Sequence, residues 1–182
     1  KNFNKTGSST SPFLNTGVMI DSKVYTIKTN PDYKGKEETL RDILVDDKSV
    51  EEEFYVNNKD LKKWKYLKNS KQEERETKDG FKYNYSEGSM IFPDDLDKAS
   101  RTIITGEGGS GPSRFKHVIA PPSNPKKLRR LTPIELERLN MFPDDHTKLE
   151  NVSNTKRAFL MGNALVVGVI KKLGDSLYNF YE

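Results

Sequence analysis

The residues of this 182-residue chain best suited to chemistry lie in one stretch, Thr105-Gly106-Glu107-Gly108-Gly109-Ser110-Gly111-Pro112-Ser113, with Arg114 and Lys116 just beyond it. Four glycines between positions 106 and 111 exclude regular structure and leave a backbone free to take positive φ and to approach a partner closely. Such a loop can cradle phosphate. The P-loop order, in which the glycines run into Gly-Lys-Ser/Thr, is absent, and the dinucleotide fingerprint needs a helix opening directly after the loop. Pro112, followed by Arg114-Phe115-Lys116-His117-Val118-Ile119, reads as a short strand instead. Two readings remain. The loop is either flexible with no ligand, or its flanking Thr105, Ser110, Ser113, Arg114 and Lys116 serve the phosphates and base edges of a nucleic acid, for which these side-chain types are suited.

Composition removes other chemistry. There is no cysteine, so disulfides, thiolate metal sites and a cysteine nucleophile are excluded from this chain. The two histidines, His117 and His146, are too few for a histidine-rich metal site and argue against a histidine triad. Net charge is +4 and the pI about 9.0, compatible with a polyanionic partner without requiring one. Apolar residues make up 33% and charged residues 32%, yet nine Phe, eight Tyr and one Trp supply what a disordered chain lacks. The longest apolar run, Ala158 to Ile170, is broken by Asn163 and too short for a bilayer, so no membrane partner is expected. The opening Lys-Asn-Phe-Asn-Lys carries no apolar signal core, and without a Met it reads as a piece of a longer, cytoplasmic chain.

The elements that must position the loop read as follows. Val18-Met19-Ile20 and Val24-Tyr25-Thr26-Ile27 form a hairpin around Asp21-Ser22-Lys23. Thr39 to Val45 suits a short helix and Glu53 to Val56 a short strand. Asn58 is placed to cap a helix through about Lys68, with Leu61, Trp64 and Leu67 or Lys68 at helical spacing. The surrounding Lys59, Lys62, Lys63, Lys65, Lys68 and Lys71 read as a solvated face rather than a nucleic-acid contact. Phe81, Tyr83 and Tyr85 alternate with polar residues, as in a strand with an aromatic face. Pro121 to Pro125 reads as a linker that divides the chain into residues 1–122 and 123–182.

The strongest local signals follow it. Thr132 stands as N-cap, Pro133 at the first helical position, and Glu135 completes a capping box. Leu131 and Leu136 are spaced as a hydrophobic staple, and the helix should stop at about Asn140, before Phe142-Pro143. A second helix begins near Ser153, is interrupted at Gly162-Asn163, and resumes from Ala164 to about Leu173.

Arg129-Arg130-Leu131-Thr132-Pro133, Glu135 and Leu139-Asn140-Met141-Phe142-Pro143-Asp144 resemble motif IX of the DNA (cytosine-5) methyltransferases. Gly162-Asn163-Ala164-Leu165-Val166 resembles their motif X, in the same order and at similar separation, and Ser100 to Gly109 looks like the threonine- and glycine-rich part of their target-recognition domain. Ile134, Asn140 and Met141 depart from that pattern, standing where Arg, Gln or Arg, and Gly are usual.

The resemblance implies an α+β segment: an irregular, mostly β target-recognition region (residues 1–122), then C-terminal helices (residues 123–182) that pack on a Rossmann-like catalytic domain absent from this chain. Family members flip a cytosine out of the duplex, attack it with a cysteine thiolate and transfer a methyl group from S-adenosylmethionine. No residue here supplies the thiolate, so no catalytic residue is expected and the segment should be inactive alone. By resemblance, two loops enter the major groove of double-stranded DNA. One is near Tyr83 to Gly88, with Tyr85 and Ser86. The other spans Thr105 to Arg114, with Gly106, Gly108, Gly109, Ser110, Ser113, Arg114 and, just beyond, Lys116. Arg114 is the leading candidate for a base or phosphate contact, the alternative being a surface salt bridge. Asn163 and Ala164 are the positions that resemble the family's contact to S-adenosylmethionine, most of which the catalytic domain would bind. The plain alternative for Asn163 is a helix cap. Phe159, Leu160, Leu165, Val166, Val169 and Ile170 would lie exposed without that domain and promote docking or self-association. The implied setting is a bacterial restriction–modification methyltransferase. The competing readings are the specificity subunit of a split enzyme and a stand-alone DNA-binding module.

Overall fold

A computed structural model describes residues 14–181. They fall into two compact units divided after Lys36.

The first unit holds an antiparallel hairpin of β1 (Thr16–Ile20) and β2 (Lys23–Ile27), paired from Thr16↔Ile27 to Ile20↔Lys23. Its loop is two residues, one shorter than the sequence indicates. Asp21 (φ 48°) and Ser22 (φ 61°) are both left-handed, as the tight turn matching strand twist requires. Val18, Met19, Ile20, Tyr25 and Ile27 are exposed along it.

The second unit, from Glu37 onward, is built around α2 (Pro133–Leu139), whose start has the expected capping. Thr132 Oγ1 accepts from Glu135 N at 3.3 Å, and the Glu135 carboxylate accepts from Thr132 N at 2.7 Å. Leu131 and Leu136 are buried in a core with Leu40, Ile43, Ile119, Ala158 and Met161. Glu135 also takes Arg129 through two hydrogen bonds of 2.8 and 2.9 Å, both side chains wholly buried, and Asp47 accepts from the same Nη2 at 3.3 Å. Asn140 ends α2, and Met141 follows it at φ 62°. That left-handed position explains why glycine is usual there in the resembled motif.

Tertiary pairing overrides several local expectations. Glu53 to Val56 is not a strand: Glu52–Phe54 is a 3-10 turn that buries Phe54, while Tyr55 bridges Arg129 and Val56 N donates to Leu128 O. Leu40–Ile43 is likewise a 3-10 turn. Asn57, not Asn58, caps the turn leading into α1 (Leu61–Lys68). Trp64 and also Lys68 are buried on α1, so Lys68 does not belong to the solvated lysine face.

Lys71 to Glu76, charged almost throughout, forms β3, paired antiparallel with β4 (Lys82–Glu87). The residues meant as a recognition loop near Tyr85 are therefore strand. Cross-strand partners compensate for the poor strand propensity: Lys71 lies opposite Glu87, Glu73 opposite Tyr85, and the Arg75 guanidinium stacks 3.5 Å over the Tyr85 ring. Of Arg114 to Ile119 only Val118–Ile119 is strand (β5), paired with β6 (Arg129–Arg130). The proline stretch thus joins a hairpin whose two sides share one compact unit. It is a turn rather than a free linker, with Asn124 N donating to Pro121 O.

Helix α3 (Asn154–Asn163) is capped by Ser153, and α4 (Val167–Tyr181) follows after a short break. No residue of α4 is buried, and Leu165, Val169, Ile170, Leu173 and Leu177 are all exposed. Among the described residues, no helix is long and apolar enough to cross a membrane.

Candidate functional site

The glycine-rich stretch is held backbone to backbone against α3. A Cβ on Gly108 would stand 2.8 Å from Thr155 Cα, and one on Gly162 would stand 2.4 to 2.5 Å from the backbone of Ile104 and Thr105. Thr155 and Gly162 are seven residues apart, about two helical turns, so one face of α3 receives both ends of the segment. Gly108 and Gly162 are glycine for space. Gly109, at φ 75°, is glycine for conformation.

Side chains from below complete the support. The Glu107 carboxylate is buried and accepts from His117 N at 3.0 Å, while His117 Nδ1 lies 2.9 Å from its other oxygen. Nε2 of the same ring lies 3.1 Å from Ser100 Oγ. This order, hydroxyl to imidazole to carboxylate, has the connectivity of a nucleophile relay. His117 is wholly buried, however, and the hydroxyl donates to Arg101 O at 2.9 Å. The cluster ties the loop to β5.

Lys116, nearly buried, donates from Nζ to Gly109 O (3.0 Å) and Gly111 O (2.9 Å), drawing the loop tip closed. Burial and the neighbouring Arg130 hold its ammonium below the usual lysine range. Beneath it, Lys68 donates to Lys116 O, and burial pushes the Lys68 ammonium down to about 8. Arg101 forks onto Asp94 at 2.7 and 3.1 Å, and Asp94 accepts from Val118 N.

The predicted residues thus separate into two sets. Thr105, Gly106 and Ser110 are exposed on the loop; Gly108, Gly109 and Ser113 are half-buried. Arg114 and Lys116 point their charges inward. The Arg114 guanidinium donates to Leu67 O, Asn69 O and Gly88 O and pairs with Glu87 at 3.1 Å. It is a clasp between the two ends of the β3–β4 ribbon. Tyr85 and Ser86 lie on that ribbon, the Tyr85 hydroxyl on Glu87 and the Ser86 side chain exposed on the opposite face.

Asn163 ends α3 instead of opening the next helix, and its Nδ2 donates to Phe159 O at 3.0 Å. Ala164 lines a cleft of about 410 Å³ with Ser100, Thr102, Asn140, Gly162 and Val166. Asn140 organises this corner: Nδ2 donates to Met161 O at 2.8 Å, and its carbonyl accepts from Val167 N. These groups offer one wall for a small molecule.

Sequence reasoning missed Glu107, His117, Asp94 and Arg101, while the inward Lys68 stood at helical spacing from Trp64 and was read both in that stripe and among the solvated lysines. A lone acid among four glycines was the available signal for Glu107. The other three carry none, because their partners are distant in sequence.

The model for C-5 cytosine-specific DNA methylases matches residues 13–179, and the chain belongs to that family. It is 40% identical over 165 residues to the Type II methyltransferase M.Sau3AI of Staphylococcus aureus, a match covering 91% of this chain and 38% of the relative. The chain therefore spans about two fifths of the length of that relative. No solved structure matches it significantly.

Proposed function

We propose that this chain is the target-recognition and closing segment of a DNA (cytosine-5) methyltransferase, which places a methyl group from S-adenosylmethionine on C5 of a flipped cytosine. The observation that carries the reading is the seating of the glycine-rich segment on α3. A loop clasped by Glu107, Lys116 and two close-packed glycines keeps its shape while presenting Thr105, Gly106 and Ser110 outward. Preorganisation of this kind favours binding by lowering the ordering cost.

The division at Pro122 is one of task. Residues 1–122 read DNA, and residues 123–182 set the recognition region against the catalytic domain. The exposed apolar run of α4 supports a Rossmann-like catalytic partner, in the same or a separate chain, that covers it. Asn163 and Ala164 would form one wall of the S-adenosylmethionine pocket that partner completes. The relative's Type II designation supports a restriction–modification setting in the bacterial cytoplasm.

The reading is tested by fluorescence anisotropy of the 182-residue chain on double-stranded DNA across a salt series. We expect binding whose log affinity falls linearly with log salt. No binding at low salt would overturn it. Binding unaltered in affinity or sequence preference by an added catalytic half would favour the stand-alone module.

A further inference from the structure

The β3–β4 ribbon contributes no buried side chain to the core, although ordering its backbone costs conformational entropy. Its two faces differ. Arg75, Tyr83, Tyr85 and Glu73 occupy one, where Arg75 stacks on Tyr85 and Glu73 accepts from the Tyr66 hydroxyl of α1. The other face presents Gln72 opposite Ser86 and Glu74 opposite Asn84, all exposed. Glu74 pairs with Lys82 at 3.3 Å. Within the described residues, the side chains of Gln72, Asn84 and Ser86 make no hydrogen bond.

Resting on the recognition reading above, we infer that this polar face is a base-reading surface, with Gln72 and Asn84 as residues that select adenine. A two-stranded ribbon fits the major groove of B-form DNA, about 12 Å wide. Gln72 and Asn84 lie diagonally across the two strands, about 7–8 Å apart, close to the rise of about two base pairs. A carboxamide can accept from N6 and donate to N7 of one adenine edge, a pairing that identifies that base in the major groove. Three of the ribbon's four acids are neutralised: Glu73 is paired with Arg75, Glu74 with Lys82, and Glu87 with Arg114 and Lys71, which leaves Glu76, at the end of β3, as the one ribbon acid without an ion pair among the described residues. Arg114, bonded to Asn69 O before β3 and Gly88 O after β4, fixes the ribbon's angle on the body that also carries the glycine-rich loop. Ribbon and loop are thereby held as two parts of one reading surface.

The test is selection of the 182-residue chain on a randomised duplex library, repeated with Gln72→Ala, Asn84→Ala and Ser110→Ala. Gln72 and Asn84 are exposed and unbonded, so both variants should fold. Each should lose its preference for adenine at one position by about 5- to 150-fold, with the other positions unchanged. A wild-type consensus that both variants retain would overturn the ribbon inference and leave DNA recognition standing. A consensus altered by Ser110→Ala alone would assign reading to the loop and also overturn it. No wild-type enrichment at all would overturn recognition itself.

Discussion

Replacing Gly162 with alanine tests the seating of the glycine-rich segment. The added Cβ would stand 2.4 to 2.5 Å from Thr105 N and from the carbonyl carbon and oxygen of Ile104. Ordinary contact begins near 3.4 Å, so helix and loop must separate by about 1 Å, and every opposing atom is backbone with no rotamer to adjust. Overpacking of this kind costs about 1–3 kcal/mol. Alanine regains up to about 1 kcal/mol of helix propensity. A net loss of up to about 3 kcal/mol is expected. If α3 moves, Ala158 and Met161 leave their places in the core; if the loop lifts, the Glu107 N to Ile104 O bond of 3.1 Å opens. Gly174→Ala is the control, since nothing lies within 4 Å of its Cβ and it should gain stability from propensity alone. Urea unfolding with amide exchange at Glu107 reads both effects. A Gly162→Ala variant stabilised as much as Gly174→Ala, with Glu107 still protected, would refute the close approach.

Three further outcomes are expected. Glu135→Gln leaves the Arg129 guanidinium buried against a neutral amide and should cost about 3–5 kcal/mol in denaturant unfolding, less what Asp47 recovers. Met141→Gly should stabilise by up to about 1 kcal/mol, because the position is left-handed; a loss would show that Met141 packing against Gly168 outweighs the backbone strain. The folded-state pKa of Lys68, about 8, lies below its unfolded value near 10.5, so the unfolded chain binds the extra proton between those limits. Stability should therefore rise with pH from about 8 to about 10.5, by up to about 3 kcal/mol. Lys68→Met should remove that rise, and identical pH profiles for the two proteins would contradict it.

The residues legible in advance were those whose signals are local. Thr132, Pro133, Glu135 and the Leu131–Leu136 pair specify the start of α2 within six positions, and the helix begins there. The hairpin at Asp21-Ser22 was legible for the same reason, whereas the break falls at residues 164–166 and not at Gly162-Asn163, which close α3, and α4 runs on to Tyr181 rather than stopping near Leu173. Glu53 to Val56 misled because Phe54 burial and the Val56–Leu128 bond, not strand pairing, set that backbone. The charged β3 could not be read without its partner strand. The candidate site divides likewise. The glycine loop is visible in sequence, whereas the inward turn of Arg114 and Lys116 depends on carbonyls at Asn69, Gly88, Gly109 and Gly111 that only the folded chain brings near. A basic residue beside a glycine loop reads as a ligand contact until its acceptors are known.

On the proposed reading, this chain recognises DNA for a methyl transfer whose nucleophile lies elsewhere. The direct measurement is transfer from labelled S-adenosylmethionine to mixed-sequence duplex DNA, by the 182-residue chain alone and then with a catalytic half that supplies the cysteine. We expect no transfer by the chain alone and sequence-specific transfer by the mixture. Transfer by the chain alone would contradict it, since it has no cysteine to attack the base. So would a folded mixture that leaves every site unmethylated.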